Sequence, residues 1–201
     1  MAGSNPPSGQ DRAATDHEPQ QPAPIVVVPY DPDWPRQFEE VAAELREALS
    51  GLLVGVEHMG STSIPGLAAK PTIDVMGFVP DFEAGFGAVE PLVARGLESM
   101  GEFGIPGRHF FTRTRNGLRA LNLHIFAARE GPGGDRLRHE LVFRDFLRAH
   151  RDVAAEYGAL KIQLATRFRD DRAATTDAKT EFITSVVARA RAIEAQPDAQ
   201  G

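Results

Sequence analysis

The segment from Val56 to Asp74 combines a small polar turn with a lysine and an aspartate. The turn consists of Gly60, Ser61, Thr62 and Ser63. Glycine lets a backbone approach a ligand closely, and amides and hydroxyls in such a turn point together at an anion. These residue types therefore indicate a substrate-binding turn for phosphate, although ordinary turns use the same residues.

Two charged residues follow the turn. Lys70 has two equal interpretations, a phosphate contact beside the turn or a solvated loop lysine. Asp74 opens the apolar run of a strand, where aspartate is uncommon. We therefore favour a functional carboxylate at Asp74 over a capping one.

Two histidines flank the same region. His58 precedes the turn, and His124 lies on a later segment in which Asn122 and His124 alternate with apolar residues. The His124 imidazole suits a transition metal or a phosphate, and both histidines are at least equally well interpreted as core histidines bonded to a backbone carbonyl. His124 is the candidate catalytic residue to accompany Asp74.

A basic cluster lies on a predicted β-hairpin around Asn116-Gly117, because Asn-Gly is the strongest short hairpin signal. The cluster consists of Arg108, His109, Arg113, Arg115 and Arg119. The two arginines nearest the turn favour a solvated basic face. The other three residues lie farther from the tip and are candidates for binding a substrate phosphate.

Hydrophobic periodicity predicts the elements that position these residues. Strands are predicted at 52–59, 72–79, 108–113 and 118–127. A first helix is predicted from an N-cap at Asp33 to Gly51, and a second over 81–96. The last third is predicted to be helical, with Asp135 and Asp152 as N-caps.

Apolar stripes at helical spacing mark the C-terminal helices. One stripe contains Val153, Tyr157, Leu160, Leu164 and Phe168, and the other contains Phe182, Val186 and Ile193. Phe143 and Phe146 are interpreted as core residues as well. Arg144 and Asp145 are interpreted as an exposed or capping pair.

Composition limits the class of protein. The 201 residues are 42% hydrophobic and 25% charged, which predicts one soluble globular domain. The net charge of −6 disfavours nucleic acid as a partner, and the absence of cysteine excludes thiol chemistry and disulfides. No stretch approaches the roughly 18 consecutive apolar residues of a membrane span, so we expect a cytoplasmic protein.

The chain ends differ from the body in composition. Residues 1–24 contain five prolines and no aromatic side chain, which predicts a disordered tail. We expect a folded domain over residues 25–195 and a disordered C-terminus over residues 196–201.

The stretch HMGSTSIPGLAAKPTID, from His58 to Asp74, closely resembles the signature of the GrpB family. The likeness spans about residues 25–190 and includes YDPDW at 30–34, NLHIF at 122–126, FRDFLR at 143–148 and EYGALK at 156–161. The family is regarded as part of the nucleotidyltransferase superfamily. The resemblance therefore implies an α+β or α/β fold, with a nucleotidyltransferase-like mixed sheet, flanking helices and a C-terminal helical segment.

In that superfamily a Gly-Ser turn holds the phosphates of a nucleotide, and three acids on two strands bind divalent metal. The resemblance implies phosphate contact at Gly60 and Ser61, and Mg²⁺ or Mn²⁺ binding at Asp74. The second acid would lie two residues on, on the same face of the strand, where this chain has Met76. The later strand offers Asn122 and His124 instead of an acid, which leaves a thin ligand set for metal.

Two functions follow as hypotheses. One is a nucleotidyltransferase that passes a nucleotidyl group to an unknown acceptor, and the other is a non-catalytic binding or accessory module. Some GrpB-like domains are joined to dephospho-CoA kinase, so that kinase is a candidate partner beside a nucleotide or phosphorylated small molecule. A domain that binds only protein would give no reason for the polar turn beside Asp74.

Overall fold

A mixed five-stranded sheet carries most of the candidate residues in a computed structural model that describes residues 27–128, 132–167 and 172–195. The strands are β1 (Gly55–Met59), β2 (Ile73–Val79), β3 (Glu98–Ser99), β4 (Arg108–Arg115) and β5 (Leu118–Ala127). Their spatial order is β1-β2-β5-β4-β3. Strands β2 and β5 are parallel, and the other pairs are antiparallel.

Helices flank this sheet and make up the last third of the described chain. They are α1 (Trp34–Ala48), α2 (Phe82–Gly85), α3 (Val89–Val93), α4 (Pro132–Ala149), α5 (Arg151–Arg167) and α6 (Arg172–Glu194). The expected α+β class, mixed sheet and C-terminal helical segment are confirmed. The two tails, 1–24 and 196–201, and Phe168 lie outside the described residues.

The two faces of the sheet pack against different elements. Val75, Leu123 and Phe111 form a main core with α1 and α3 on one face. A smaller group on the other face includes Met76 and Phe126. Because β2 is buried on both faces, its sequence is almost continuously apolar.

A separate apolar cluster joins the C-terminal helices to the loop after β1. Its buried members include Ile64, Leu67, Phe143, Phe146, Leu147, Val153, Tyr157 and Val186. The loop therefore lies between the sheet and the helical segment, and both contribute to its surroundings. The hairpin, the apolar strand β2 and the buried stripe of α5 agree with the sequence predictions.

Several predicted helix boundaries were wrong. The helix expected over 81–96 is broken into α2, a 3₁₀ turn at Phe86–Ala88 and α3. Gly85 and Gly87 disfavour continuous helix, and Pro91 lies in the first turn of α3, where its missing N–H has no partner to lose. The strand expected from Leu52 begins at Gly55.

The capping predictions also need correction. Asp33 occupies the N-cap position of α1, as predicted, but its carboxylate accepts from the Arg36 and Gln37 side chains and makes no hydrogen bond to the backbone of the first turn. Helix α4 begins at Pro132, so Asp135 lies inside it, and Asp152 lies in the first turn of α5. Ile193 was expected beside buried Val186 but is 54% exposed near the end of α6.

Candidate functional site

The turn after β1 lies directly against the carboxylate of Asp74. Gly60 has a φ of 69°, and a Cβ at this position would overlap the Asp74 side chain. Residues Ser61–Ser63 then form a single 3₁₀ turn, in which the Ser63 hydroxyl donates to the Gly60 carbonyl at 2.6 Å. Only glycine fits Gly60, because it tolerates both the positive φ and the close approach.

Asp74 is the second residue of β2, an interior strand of the sheet, and it is hydrogen-bonded to its neighbour on β5. Its register partners are Met59 on β1 and Asn122 on β5. The Asn122 Nδ2 donates to Asp74 Oδ1 at 2.8 Å, and Arg119 donates to Asn122 Oδ1 at 3.3 Å. Burial raises the pKa of Asp74 to about 6; the Asn122 hydrogen bond and Lys70 oppose this rise and the Glu140 charge adds to it.

Lys161 on α5 contacts the turn from the helical side. Its Nζ donates to the Ser61 hydroxyl at 2.9 Å and to the Ala68 carbonyl at 2.7 Å. Burial lowers the pKa of Lys161 to about 8, and the nearby Lys179 ammonium contributes. Burial also lowers the pKa of Lys179 on α6. Two half-buried ammonium groups therefore lie close to the Gly60-Ser61 turn.

A cavity of about 560 Å³ opens between the turn and the three C-terminal helices. Its polar lining includes Ser61, Glu140, Thr180 and Thr184, and its apolar lining includes Ile64, Phe143, Tyr157 and Ile183. The Tyr157 ring stacks on Phe182 with 5.3 Å between centroids. The volume and mixed lining suit a small molecule with one charged end and one apolar end.

Lysine usage is the sequence signal that would have revealed the helical half of this site. The chain contains 22 lysines and arginines, of which only Lys70, Lys161 and Lys179 are lysines. Lys161 contacts Ser61, Lys179 lies near Lys161, and the Lys70 charge acts on Asp74. In a chain that otherwise uses arginine, all three ammonium groups lie near one turn.

Thr62 and Ser63 face away from the cavity and hold the turn in place. The buried Thr62 hydroxyl lies 3.0 Å from His58 Nε2, and Arg148 donates to the Ser63 carbonyl at 2.9 Å. His58 stacks on Phe38 with 4.7 Å between ring centroids. Burial, with the charges of Arg148 and Arg144, lowers the pKa of His58 to about 4. The structure thus favours the core interpretation of His58.

His124 lies on the same face of the sheet as Asp74 but is engaged elsewhere. Its Nδ1 is 3.1 Å from Arg108 Nη1, and its register partner on β2 is Met76. The buried Arg108 guanidinium also donates to the Phe103 and Glu102 carbonyls at 2.7 and 3.2 Å. These two residues hold the loop before β4, one row away from Asp74.

The structure does not bring the other predicted basic residues together at Asp74. His109 points to the opposite face, where its Nε2 lies 2.9 Å from the Phe82 carbonyl. Alternate residues of a strand face opposite sides, so Arg108 and His109 cannot share one pocket. Arg119 is exposed and reaches the site through Asn122, whereas Arg113 pairs with Glu44 at 2.9 Å and is not a solvated cation.

Arg144 was wrongly interpreted as an exposed or capping residue. It is only 8% exposed, and it pairs with Asp145 as expected but also with Glu57 on β1. The Glu57 ion pair is 2.7 Å long, and a second bond of 3.0 Å reaches the His58 carbonyl. Tyr157 is core as predicted, and it also lines the cavity.

The described residues do not offer the ligand set of a two-metal site. Asp74 is the one carboxylate of β2, Met76 occupies the position of the second acid, and Asn122 presents an amide donor. Within residues 27–128, 132–167 and 172–195, no group of three or more His, Asp or Glu side chains converges. Divalent cations prefer several oxygen ligands, so this donor set does not fit.

The fold is an α+β domain in which a polar turn faces a helical segment across a cavity. Residues 24–189 match the family model described as GrpB protein. The chain belongs to the GrpB family. GrpB from Enterococcus faecalis has the same fold, with a TM-score of 0.74 and 35% identity over 82% of this chain and 96% of that chain.

Sequence relatives agree with this membership. The UPF0157 protein PA4798 of Pseudomonas aeruginosa is 36% identical over 86% of this chain and 70% of its own length. The UPF0157 protein YqkA of Bacillus subtilis is 35% identical over 79% of this chain, which spans only 45% of that relative. A dephospho-CoA kinase of Mycolicibacterium paratuberculosis is 38% identical over 39% of this chain and 20% of the kinase.

More distant structures align less closely. The Cid1 poly(U) polymerase bound to MgATP has a TM-score of 0.48 and 14% identity over 70% of this chain. A likeness this weak does not extend to function. No helix among the described residues has the length and hydropathy needed to span a membrane.

Proposed function

We propose that this protein binds a phosphorylated small molecule, with a nucleotide as the first candidate, in the cavity between the Gly60-Ser61 turn and the C-terminal helices. The observation that supports the proposal most strongly is the contact between Lys161 Nζ and the Ser61 hydroxyl at 2.9 Å. An ammonium group and a hydroxyl that meet at a glycine turn form a recurrent arrangement for phosphate.

The electrostatic state of the free site supports the same proposal. Lys161 and Lys179 are both partly desolvated and lie close enough to lower the pKa of Lys161. Two ammonium groups in this position repel each other and disfavour their charged forms. A bound phosphate would neutralise both charges. Binding would therefore relieve the repulsion between the two ammonium groups, and this relief would add to the affinity.

The remainder of the cavity suits the organic part of such a ligand. Phe143, Tyr157 and Ile183 form an apolar wall, and the hydroxyls of Thr180 and Thr184 line the same space. Aromatic and aliphatic walls with a few polar groups are typical of sites for nucleosides and similar compounds. The phosphate end would lie at Ser61 and the apolar end between α5 and α6.

Calorimetry with Lys161→Met tests this proposal. The ligands are ATP, UTP, AMP, dephospho-CoA and inorganic phosphate. Dephospho-CoA is included because part of the chain resembles part of a dephospho-CoA kinase. We expect at least one of them to bind the wild-type protein, and the variant to bind it about tenfold or more weakly, since a charged hydrogen bond is lost.

Arg46→Met is the matched control for this experiment. It removes one positive charge from the exposed surface of α1, where Arg46 makes only a 3.9 Å ion pair with Glu39. Its affinity should equal that of the wild-type protein. Absence of binding by all five compounds, or equal binding by the Lys161 variant, would refute the proposal.

Nucleotidyl transfer is the second candidate function, and the position of Asp74 favours it. Its carboxylate lies against Gly60, and its raised pKa of about 6 would suit a group that exchanges a proton near neutral pH. Incubation with nucleoside triphosphates and Mg²⁺ or Mn²⁺ should then release pyrophosphate, and Asp74→Asn should abolish the release. If none of the four common nucleoside triphosphates yields pyrophosphate, ligand binding remains the proposed function.

A further inference from the structure

We infer that the cavity takes its phosphorylated ligand without a divalent metal, with the ammonium groups of Lys161 and Lys179 in the place of the cation. This inference rests on the proposed function and specifies how the phosphate charge is neutralised. It departs from the expectation that the family resemblance raised for Asp74. The inference is supported by the contacts that the protein makes on the two sides of the Gly60-Ser61 turn.

On the sheet side of the turn, the charge of Asp74 is already compensated by the protein. Asn122 donates an amide hydrogen to it at 2.8 Å, and the Lys70 ammonium acts on it as a positive charge. Two residues further along β2 the same face presents the thioether of Met76. A hard divalent cation prefers carboxylate, carbonyl and water oxygens, and these neighbours supply a donor hydrogen, a cation and a sulfur.

Asp74 contacts the turn but is not one of the residues that line the cavity. Gly60 and Ser61 line it, and the Asp74 carboxylate lies against Gly60. A metal that bridges a protein carboxylate and a ligand phosphate needs both oxygens in one space. The carboxylate that lines this space is Glu140 and not Asp74.

On the helical side of the turn, two lysines lie next to the cavity without lining it. Lys161 donates to the hydroxyl of Ser61, which lines the cavity, and the Lys179 charge acts on Lys161. Lysine binds phosphate as a compact point charge with three donors, so two such groups can match one phosphate dianion. A phosphate at Ser61 would therefore meet a countercharge supplied by the protein.

Glu140 on α4 is the carboxylate that lines the cavity, and it lies near enough to Asp74 to affect its titration. The competing arrangement is a divalent cation held between Asp74 and Glu140. The two arrangements predict opposite changes in ligand affinity when one of these negative charges is removed. If lysines neutralise the phosphate, removing either negative charge leaves affinity unchanged or raises it, because repulsion decreases. If a metal does so, removing either charge lowers affinity.

Calorimetry in EDTA and in excess MgCl₂ distinguishes them, with inorganic phosphate, AMP and ATP as probes. We expect affinities in the two buffers to agree within about threefold for inorganic phosphate and AMP, and Lys161→Met to weaken binding about tenfold in both. Asp74→Asn and Glu140→Gln should bind as well as the wild-type protein or up to about tenfold more tightly. Lys179→Met is a second test, because Lys161 also holds the Ala68 carbonyl and its loss could disturb the loop.

The results of these titrations test the metal-free inference and the proposed function separately. Binding that requires MgCl₂, or that either acid variant abolishes while its thermal unfolding is unchanged, would overturn the metal-free inference and leave the proposed function standing. If none of the three probes binds in either buffer, the proposed site for phosphate fails as well. Equal binding by both lysine variants and the wild-type protein in EDTA would also overturn the inference.

Discussion

At the scale of single residues, Asp74 costs the folded protein free energy. The carboxylate is desolvated in the sheet, and its pKa rises from 3.8 to about 6 even though Asn122 donates a hydrogen bond to it. An asparagine would fit the same space without the charge. A buried charge that lowers the stability of the fold is a recurrent feature of functional sites.

Asp74→Asn should therefore stabilise the protein in a pH-dependent way. The folded-state pKa is raised, so the contribution of Asp74 to stability is complete below pH 3.8 and is lost as the pH rises through about 6. The variant should exceed the wild-type free energy of unfolding by about 3 kcal/mol near pH 7, and by almost nothing below about pH 4. Chemical denaturation at both pH values measures this difference.

The matched control is Asp81→Asn, an exposed carboxylate that caps Ala84 at 2.8 Å and for which no stabilisation at neutral pH is expected. A destabilised Asp74 variant above pH 6 would show that the carboxylate makes a favourable structural contact instead.

At the scale of elements, the turn between β1 and the 3₁₀ segment depends on Gly60. The position combines a φ of 69° with direct contact between the backbone and the Asp74 side chain. Thr62, Ser63 and Arg148 then fix the turn from the other side through internal hydrogen bonds. All three hydroxyl side chains of the turn are therefore hydrogen-bonded within the protein, Ser61 to Lys161 of α5.

Gly60→Ala should consequently destabilise the protein more than a substitution that adds strain alone. Gly66 also has a positive φ, of 82°, but a Cβ there would meet nothing within 4 Å. We expect Gly66→Ala to cost about 1 kcal/mol through backbone strain, and Gly60→Ala about 3 kcal/mol because it also displaces Asp74. Thermal denaturation of both variants measures the difference. Equal losses would mean that Asp74 moves aside without cost.

At the scale of the whole molecule, Arg144 joins the helical segment to the sheet. Its guanidinium is buried, and it binds the Glu57 carboxylate and the His58 carbonyl of β1 from α4. The cavity lies beside this junction, because Arg144 is one of its lining residues. The relative position of the turn and α4 therefore depends on these contacts.

Arg144→Met should lower the free energy of unfolding by about 2–3 kcal/mol, because buried hydrogen-bond acceptors lose their donor. Arg36→Met is the control, since Arg36 pairs with Asp33 on the exposed surface of α1, where water screens an ion pair and its loss changes stability little. Urea denaturation compares the two variants. Losses of similar size would show that the helical segment is held by its apolar cluster alone.

Sequence patterns predicted most of the sheet and the proximity of the Gly60-Ser61 turn to the strand that begins near Asp74, for local reasons. The Asn116-Gly117 hairpin and the apolar run of β2 follow from turn chemistry and alternation, and the Gly60-Ser61 turn lies 14 residues or fewer from Asp74 in the chain. These features involve neighbours in sequence or in a regular ladder. Periodicity could therefore identify them.

The helical half of the site depends on tertiary packing. Lys161 meets Ser61 across 100 residues of chain, and only the docking of α5 onto the turn brings them together. Strand alternation places the side chains of Arg108 and His109 on opposite faces of the sheet. The elements that bury each side chain could not be predicted from the sequence. Lys161 and Lys179 were missed because helical patterns identify apolar stripes and do not reveal which polar residue faces a neighbouring loop.

The most direct measurement uses the three lysines of the chain. Protein labelled with ¹³C at lysine Cε should give three resonances, which Lys→Met variants assign. We expect Lys161 to titrate at about pH 8 instead of near 10.5, and its pKa to rise when a phosphorylated ligand binds. A Lys161 resonance that titrates near 10.5 and does not respond to any of the tested ligands would contradict a phosphate site at Ser61.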